Sequence, residues 1–202
     1  DLDGIQGIVK SGKWTGIPGF RYDFVNYTEI AGKTLGLIGC GSIGGRVAKI
    51  ASALGMNVIA HTAHRHNDSE FVKYVEIDEL MVNSDVISLH CPLNDSTRGM
   101  VDKTFISKMK DGVKLINTSR GAVLNESDVA EALRTGKISG AALDVLAVEP
   151  ALPKNPLLTA PNCIVTPHIA WASRAARERL LDVIDKSLEN YVKTGAGLNR
   201  IV

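Results

Sequence analysis

Short apolar runs alternate along this chain with longer segments in which apolar residues recur at helical spacing. Residues 34–38 are almost continuously apolar and stop at a cluster of glycines, which is typical of a buried strand. Residues 43–54 follow with their apolar side chains on one helical face, and Gly55 stands where a helix would end. This pattern predicts a strand joined by a tight turn to a helix.

The alternation continues to the end of the chain. Further strands are predicted at residues 57–61, 85–90, 114–117, 141–145 and 163–166. Further helices are predicted at residues 78–83, 103–109, 128–134 and 172–192, and a helix end at 8–14. Ser127 or Asn125 is expected to cap the helix at 128–134, and Gly136 to follow its end.

This order of elements predicts the fold class. Strands that alternate with helices through short connections indicate an α/β fold, a doubly wound parallel sheet with helices on both faces. Ligands bind to such sheets outside the carboxyl ends of the strands. We therefore expect the functional residues where strands end.

Composition and charge are those of an ordinary globular protein. Of the 202 residues, 45% are hydrophobic and 22% are charged, and the net charge of +1 gives no reason to expect nucleic acid or a membrane as partner. The sequence also has no signal pattern at its N-terminus. Cys40, Cys91 and Cys163 lack the spacing of a zinc or CxxC site, which predicts buried free thiols and a cytoplasmic location.

A glycine-rich turn joins the first predicted strand to the first helix. Residues 39–44 have the pattern G-x-G-x-x-G in the strand-to-helix context that dinucleotide binding requires. Gly39 permits the tight turn, Gly41 lets the backbone approach a pyrophosphate, and Gly44 lets the helix pack closely on the strand. The alternative is a strand-to-helix turn with no ligand, but the context favours a dinucleotide.

The residues after the second predicted strand bear on the type of dinucleotide. An Asp or Glu at this position commonly holds the adenosine ribose of NAD, but here the first carboxylate is Asp68. Thr62 stands at the expected position, and Arg65 follows three residues later. Because an arginine offers charge and paired donors to a 2′-phosphate, this segment favours NADP over NAD.

Three histidines in the same segment raise the question of a metal. His61, His64 and His66 are closely spaced, but no thiol or carboxylate nearby completes a zinc site. We predict no metal. Contact with a phosphate and a solvated loop remain the two interpretations of this cluster.

Three further segments place polar side chains after predicted strands. Arg120 follows the strand at 114–117, Glu149 follows that at 141–145, and His168 follows that at 163–166. Each has a plain explanation by itself: a surface arginine, a glutamate before a proline, and a histidine that caps a helix. Their common position at strand ends, after a dinucleotide loop, indicates a catalytic set.

The motifs together resemble those of the D-isomer-specific 2-hydroxyacid dehydrogenases. The resemblance rests on residues 39–44, 90–93, 117–121, 144–150 and 167–171, and it spans about residues 10–190 in the order of that family. The segment 168–173 is most similar to hydroxypyruvate reductases, also called glycerate dehydrogenases. The resemblance implies a Rossmann fold and hydride transfer between NAD(P)H and a small 2-keto acid or D-2-hydroxy acid.

The resemblance also implies roles for the three polar residues. His168 would be the acid/base that gives a proton to the substrate carbonyl oxygen. Glu149 would hold the imidazole and stabilise its protonated form. Arg120 would bind the substrate carboxylate with its forked donors.

A larger set of residues is implied to contact the cofactor. Asp144 would accept a hydrogen bond from the nicotinamide carboxamide, and others would line the crevice or bind the phosphates. The full set is Gly39, Gly41, Ser42, Ile43, Gly44, Thr62, Arg65, Cys91, Pro92, Thr97, Thr118, Ser119, Asp144, His168 and Ala170.

The resemblance further implies a domain organisation and a homodimer. Residues 1–27 would form an interdomain and dimerisation arm, 28–172 the NAD(P)-binding Rossmann domain, and 173–202 a C-terminal return helix and tail. Family members carry about a hundred residues of substrate domain before this region, so most of that domain is expected to be absent from the chain. The segment 14–20 is the expected dimer surface.

Two classes of function remain open. The first is an enzyme that reduces hydroxypyruvate or glyoxylate, with another D-2-hydroxyacid dehydrogenase (phosphoglycerate, lactate) as its alternative. Formate oxidation is disfavoured because formate dehydrogenases typically have Gln at the position of Glu149. The second class is a dinucleotide-sensing, corepressor-like binding protein, which the short C-terminal tail disfavours. Trp171 either narrows the substrate site or serves packing.

Overall fold

The computed structural model describes residues 2–15, 28–63 and 70–198, and a seven-stranded parallel sheet organises them. The strands are β1 (Thr34–Ile38), β2 (Asn57–His61), β3 (Lys73–Tyr74), β4 (Val86–Leu89), β5 (Val113–Asn117), β6 (Ile138–Leu143) and β7 (Cys163–Val165). Their order across the sheet is β3-β2-β1-β4-β5-β6-β7, and every neighbouring pair is parallel. The predicted Rossmann fold is confirmed.

Six α-helices accompany the sheet in the described part of the chain. They are α1 (Leu2–Lys10), α2 (Ser42–Ala53), α3 (Ile77–Asn83), α4 (Lys103–Lys108), α5 (Glu126–Thr135) and α6 (Arg174–Thr194). Short 3-10 turns lie at Gly121–Val123 and Pro156–Leu158. None of these helices has the length and apolar character to cross a membrane.

Most predicted elements are confirmed within a few residues, and the differences have local causes. The two-residue strand β3 was not predicted, because a strand this short has no periodicity and exists only through its pairing with β2. At the N-terminus the helix ends at Lys10 and residues 11–15 form turns, which confirms the helix end predicted at 8–14. Residues 16–20 of the predicted dimer surface lie outside the described residues.

The structure of α5 shows which of the two candidate residues, Ser127 or Asn125, caps this helix. The side chain of Asn125 accepts a hydrogen bond from the Asp128 N–H group at 3.2 Å, so Asn125 is the cap and Ser127 is not. Gly136 ends the helix with a φ of 77°, a left-handed conformation that glycine adopts without steric cost.

Helices cover the sheet on both faces, as predicted. On one face α2 packs on β1 and β2 around a small core that includes Leu37 and Ala48. On the other face α3, α4 and α5 cover a larger core that includes Leu80, Leu115 and Val129. By contrast, α6 has no buried residue.

The strand register brings the carboxyl ends of six strands to one line. Ile38 is paired with His61 and with Leu89, and the line continues through the last residues of three further strands. These further residues are Asn117, Leu143 and Val165. The connections that begin at residues 39, 62, 90, 118, 144 and 166 therefore start at the same edge of the sheet.

Candidate functional site

The glycine turn before α2 is built by close backbone contacts. Gly39 has a φ of 90°, and a Cβ there would lie 2.7 Å from the backbone carbonyl of His90. A Cβ at Gly44 would overlap the carbonyl oxygen of Gly39, so this glycine is needed where the helix crosses the strand. A Cβ at Gly41, in contrast, would meet no atom within 4 Å. The turn leaves open space before the α2 N-terminus, whose unpaired N–H groups suit a phosphate.

A cavity of about 840 Å³ lies beside this turn, at the edge where the strands end. Most of the predicted cofactor and catalytic residues line it. They are Ile43, Cys91, Pro92, Thr118, Ser119, Arg120, Asp144, His168 and Ala170. The sheet register thus brings together side chains that are up to 127 positions apart, from Ile43 to Ala170.

Three predicted cofactor residues stand differently. Thr97 does not line this cavity: its hydroxyl donates to the Pro92 carbonyl at 2.7 Å and accepts from the Asn94 N–H group at 2.9 Å. It shapes the loop that presents Pro92, and its role as a direct contact remains a prediction. Thr62 follows β2 directly at the same sheet edge, whereas Arg65 lies outside the described residues.

The histidine cluster after β2 is described only at His61. Its Nδ1 lies 3.2 Å from the carbonyl oxygen of Val75, which ties the end of β2 to the segment after β3. His64 and His66 lie outside the described residues. Across residues 2–15, 28–63 and 70–198, no group of three side chains could hold a metal ion.

The loop that follows β5 carries Arg120 and is called the arginine loop (residues 118–121). It is organised by Asn117, the last residue of β5. The Asn117 side chain is fully buried; its Oδ1 accepts from the Ser119 N–H group at 2.9 Å and its Nδ2 donates to the Arg120 carbonyl at 3.0 Å. A buried amide satisfied in this way fixes the loop it binds. The exposed guanidinium of Arg120 is thereby held at the cavity, with Nη1 donating to the Ser119 carbonyl at 2.8 Å.

Asp144, directly after β6, organises the turn after β7 that carries His168. Its carboxylate accepts N–H groups from Ile169 and Ala170, each at 2.9 Å, and the hydroxyl of Thr166. Its backbone carbonyl accepts the N–H group of His168 at 2.8 Å. His168 has a φ of 54°, a region that a residue with a side chain rarely adopts. The bonds to Asp144 stabilise this turn and direct the imidazole to the cavity.

These hydrogen bonds also affect the ionisation of Asp144, which is 6% exposed. Burial by itself would raise its pKa, but the bonds from Thr166, Ala170 and Ile169 outweigh burial and lower the pKa below the ordinary carboxyl value. Asp144 is therefore a carboxylate at neutral pH. The sequence indicated Asp144 as a cofactor residue but gave no sign that it anchors the turn of His168.

The side chains of His168 and Glu149, which were predicted to act as acid/base and partner, are hydrogen-bonded to each other. His168 Nδ1 lies 2.7 Å from Glu149 Oε2, and Glu149 Oε1 accepts the Leu146 N–H group at 2.9 Å. Burial tends to raise the pKa of Glu149, but the bonds from His168 and Leu146 reverse the effect and lower it. The carboxylate is ionised at neutral pH and binds one imidazole nitrogen, which leaves Nε2 for another partner.

The arginine loop contacts, backbone to backbone, the connection after β6 that carries Glu149. A Cβ at Gly121 would overlap the carbonyl group of Leu146. The two loops approach this closely because residue 121 has no side chain. The loop that carries Arg120 is thus in direct backbone contact with the loop that carries Glu149.

Three further residues of the motifs at 90–93 and 167–171 also line the cavity. His90 lines the cavity with Nε2 2.9 Å from the Ser88 hydroxyl, and burial lowers its pKa, so it is neutral at pH 7. Leu93 also lines the cavity. Trp171 is 54% exposed and lines it too, which supports a role in the site over one in packing. The side-chain bond from Ser88 had no signal in the sequence.

The cysteines follow the prediction in part. All three are free, and Cys40 and Cys91 are buried. Cys163 is only half-buried because it lies on the edge strand β7, so the prediction of burial is wrong for this residue. Burial raises the pKa of Cys91, which keeps it a neutral thiol at the cavity.

We predict that Asp144→Asn destabilises the chain by about 1–3 kcal/mol at neutral pH, because an amide would turn a donor toward an N–H group of the turn. The folded pKa of Asp144 is lowered, so its stabilisation is complete above the unfolded value and is lost as pH falls through the folded value. Urea unfolding from neutral to acidic pH should therefore show the difference from the wild type shrinking.

Asp95→Asn is the control, because this aspartate is exposed in the loop after β4. It should change the free energy of unfolding by less than about 0.5 kcal/mol at every pH. A difference for Asp144→Asn that stays constant with pH would contradict the assigned ionisation.

Comparisons with known proteins agree with this geometry. The sequence profile of the family described as D-isomer specific 2-hydroxyacid dehydrogenase, NAD binding domain, matches residues 2–170. A hydroxypyruvate reductase of Blautia hydrogenotrophica is 47% identical over 188 residues, which are 92% of this chain and 58% of that protein. The chain thus spans somewhat more than half the length of this curated relative.

Solved structures give the same result. A glyoxylate reductase from Paecilomyes thermophila has a TM-score of 0.81 and 35% identity, over 95% of this chain and 57% of that one. An acyclic imino acid reductase in complex with NADPH and D-Arg has a TM-score of 0.82 and 34% identity, over 98% and 63%. On its fold, its strand-end residues and these similarities, the chain belongs to the D-isomer specific 2-hydroxyacid dehydrogenase family and carries that family's NAD-binding domain.

Proposed function

We propose that the full-length protein is an NAD(P)-dependent reductase of small 2-keto acids, with hydroxypyruvate or glyoxylate as substrate. The observation that carries the proposal is the cavity that Arg120 and His168 share, with Glu149 bound to the far nitrogen of the imidazole. A carboxylate binder and a proton donor stand together beside a dinucleotide turn, as the reduction of a 2-keto acid requires.

The residues of the chain divide the reaction between them. Arg120 binds the substrate carboxylate and draws electron density from the neighbouring carbonyl. His168 gives the proton of Nε2 to the carbonyl oxygen, and Glu149 stabilises the positive charge of the imidazolium before transfer. A dihydronicotinamide held in this cavity would supply a hydride to the carbonyl carbon. The C=O double bond would thereby become a C–O single bond with one new C–H and one new O–H bond, and His168 would regain its proton from solvent.

The residues around the cavity fit a dinucleotide. The space before Gly41 is open and the first N–H groups of α2 face it, whereas Cys91 and Pro92 present apolar surface further along the cavity. We further propose that the residues predicted from the sequence, Asp144 and Ala170 among them, contact the nicotinamide end. Asp144 retains acceptor capacity for a carboxamide, since each oxygen has two lone pairs.

The size of the substrate is proposed from Trp171 and from the relatives. The Trp171 ring lines the same cavity as Arg120 and His168, where it would take up space beside a short 2-substituent. Two similar proteins are named hydroxypyruvate reductase and glyoxylate reductase, and both names denote small 2-keto acids.

We predict that Arg120→Ala and His168→Ala each lower kcat/KM by at least about a hundredfold in the full-length protein, because each removes a group that acts on the carbonyl in the transition state. Cofactor binding should persist, and fluorescence titration with the dinucleotide measures it. Arg134→Ala is the control, because Arg134 pairs with Glu131 on the surface of α5. Near-normal turnover in either of the first two variants would rule out the mechanism.

Initial rates decide the substrate. We expect the wild type to reduce hydroxypyruvate or glyoxylate with a higher kcat/KM than pyruvate or phosphohydroxypyruvate, since the cavity is proposed to suit a short polar substituent. A preference for pyruvate or phosphohydroxypyruvate would favour a lactate or phosphoglycerate dehydrogenase. Binding of dinucleotide without turnover of any of the four would favour the binding-protein alternative.

We propose NADP(H) as the preferred cofactor, with NAD(H) as the alternative. The support is Thr62 directly after β2, where a carboxylate would hold the ribose of NAD, and Arg65 close by in the sequence. The similar imino acid reductase is described in complex with NADPH, whereas the family description names NAD.

We predict that Arg65→Gln raises the KM for NADPH about tenfold and leaves the KM for NADH nearly unchanged, because the guanidinium would bind only the 2′-phosphate. Steady-state kinetics with both cofactors measures the two values. Arg98→Gln, at an exposed position after β4, is the control. A wild type with a lower KM and higher turnover for NADH would contradict the proposal.

We also propose that the protein forms a symmetric homodimer through residues 1–27 and resides in the cytoplasm. Trp14 is 59% exposed, which leaves a large apolar ring for a partner copy to cover. The three free cysteines support a reducing compartment. We also propose the domain boundaries that the resemblance implies, which lie at residues 27/28 and 172/173.

If the protein is a dimer, sedimentation equilibrium should give a mass twice that of the subunit. Trp14→Glu should raise the dissociation constant of the dimer, because it places a charge in the interface. Val9 on α1 is 41% exposed, and Val9→Glu places the same charge there. Comparison of the dissociation constants of the two variants shows which of the two residues lies nearer the interface. A monomer at all micromolar concentrations would exclude the proposal.

A further inference from the structure

Glu126, the first residue of α5, holds the long connection between β6 and β7 at two points. Its Oε1 accepts the Ala147 N–H group at 2.8 Å, and its Oε2 accepts from Asn155 Nδ2 at 2.9 Å. Ala147 and Asn155 flank the part of the connection that contains Glu149. One carboxylate on a regular helix thus spans the segment that carries the predicted partner of His168.

The bond to Ala147 lies one residue away from a contact of Glu149. The Leu146 N–H group donates to Glu149 Oε1, and the next N–H group along the chain donates to Glu126. The Leu146 carbonyl packs on the backbone of Gly121. The Leu146–Ala147 peptide is therefore held by the Glu126 carboxylate and a backbone contact, while the adjoining Val145–Leu146 peptide donates to Glu149. A shift of Leu146 would move the Glu149 carboxylate with it.

The chemistry of the two contacts requires a carboxylate at residue 126. Asn155 is 9% exposed and its Oδ1 accepts the Leu157 N–H group at 3.0 Å, so its Nδ2 group must face Glu126. Both contacts of Glu126 are donors, and an amide at residue 126 would present a donor to one of them. The start of α5, after the Asn125 cap, also favours negative charge through the helix dipole.

We propose that Glu126 is a positioning residue for the Glu149–His168 pair: by binding Ala147 and Asn155 it fixes the Glu149 carboxylate within hydrogen-bonding distance of His168 Nδ1. The kinetic part of this inference rests on the proposed reductase function. The structural part, the geometry of the pair, does not.

Glu126→Gln in the full-length protein tests the kinetic part. We expect kcat to fall roughly tenfold to a hundredfold, as small displacements of catalytic groups produce, with the KM for the dinucleotide unchanged. Glu131→Gln is the matched control, since Glu131 lies on the same helix and pairs with Arg134 on the surface. It should leave kcat unchanged.

A double-mutant cycle separates positioning from general destabilisation. If Glu126 acts through Glu149, then Glu126→Gln has little further effect on kcat in a Glu149→Gln background. Equal fold-changes in both backgrounds would overturn the proposal. Glu126→Asp, which keeps the charge but cannot span both donors, replaces Glu126→Gln in the cycle if that variant does not fold.

A measurement independent of activity tests the structural part. The His168 Nδ1 proton, hydrogen-bonded to a carboxylate, should give a downfield NMR resonance in the wild type and in Glu131→Gln, and this resonance should shift upfield or broaden in Glu126→Gln. An unchanged resonance in Glu126→Gln would overturn the proposal. A wild type that shows the resonance but reduces no 2-keto acid would contradict the proposed function and leave the positioning role standing.

Discussion

The hydrogen bonds that the Asp144 carboxylate accepts are the interaction on which the rest of the site depends. Asp144 lies just beyond β6 and is almost fully buried, and it binds the N–H groups of Ile169 and Ala170 from the turn after β7. The pairing between β6 and β7 ends at Val165. The bonds to Asp144 therefore join the two chain segments beyond the carboxyl ends of these strands. They hold His168 at a positive φ and present its imidazole to the cavity.

The same device recurs at the neighbouring loops. Asn117 uses a buried amide to fix the arginine loop, and Glu126 uses a carboxylate to hold the loop that carries Glu149. At these two loops a polar side chain on a regular element satisfies N–H or C=O groups that the sheet leaves unpaired. Because buried polar groups must be satisfied, such a side chain specifies one loop conformation. Rigid elements thereby position residues that themselves lie on loops.

Where structure and sequence-based expectation differ, the cause is pairing or packing that has no local signal. β3 exists only because Lys73 and Tyr74 pair with β2. Cys163 is half-exposed because β7 is the edge strand, and apolarity alone does not distinguish an edge strand from a central one.

The sequence by itself determined the order of the helices and of the strands other than β3, the glycine turn at 39–44 and the residues that follow the strand ends. These are local properties: hydrophobic periodicity, the backbone freedom of glycine and the stop of an apolar run. Only the tertiary structure decided that Glu126 meets Ala147 and that Asp144 meets the turn of His168. These partners are 21 to 26 residues apart, and the strand register, set by packing of the whole sheet, brings them together.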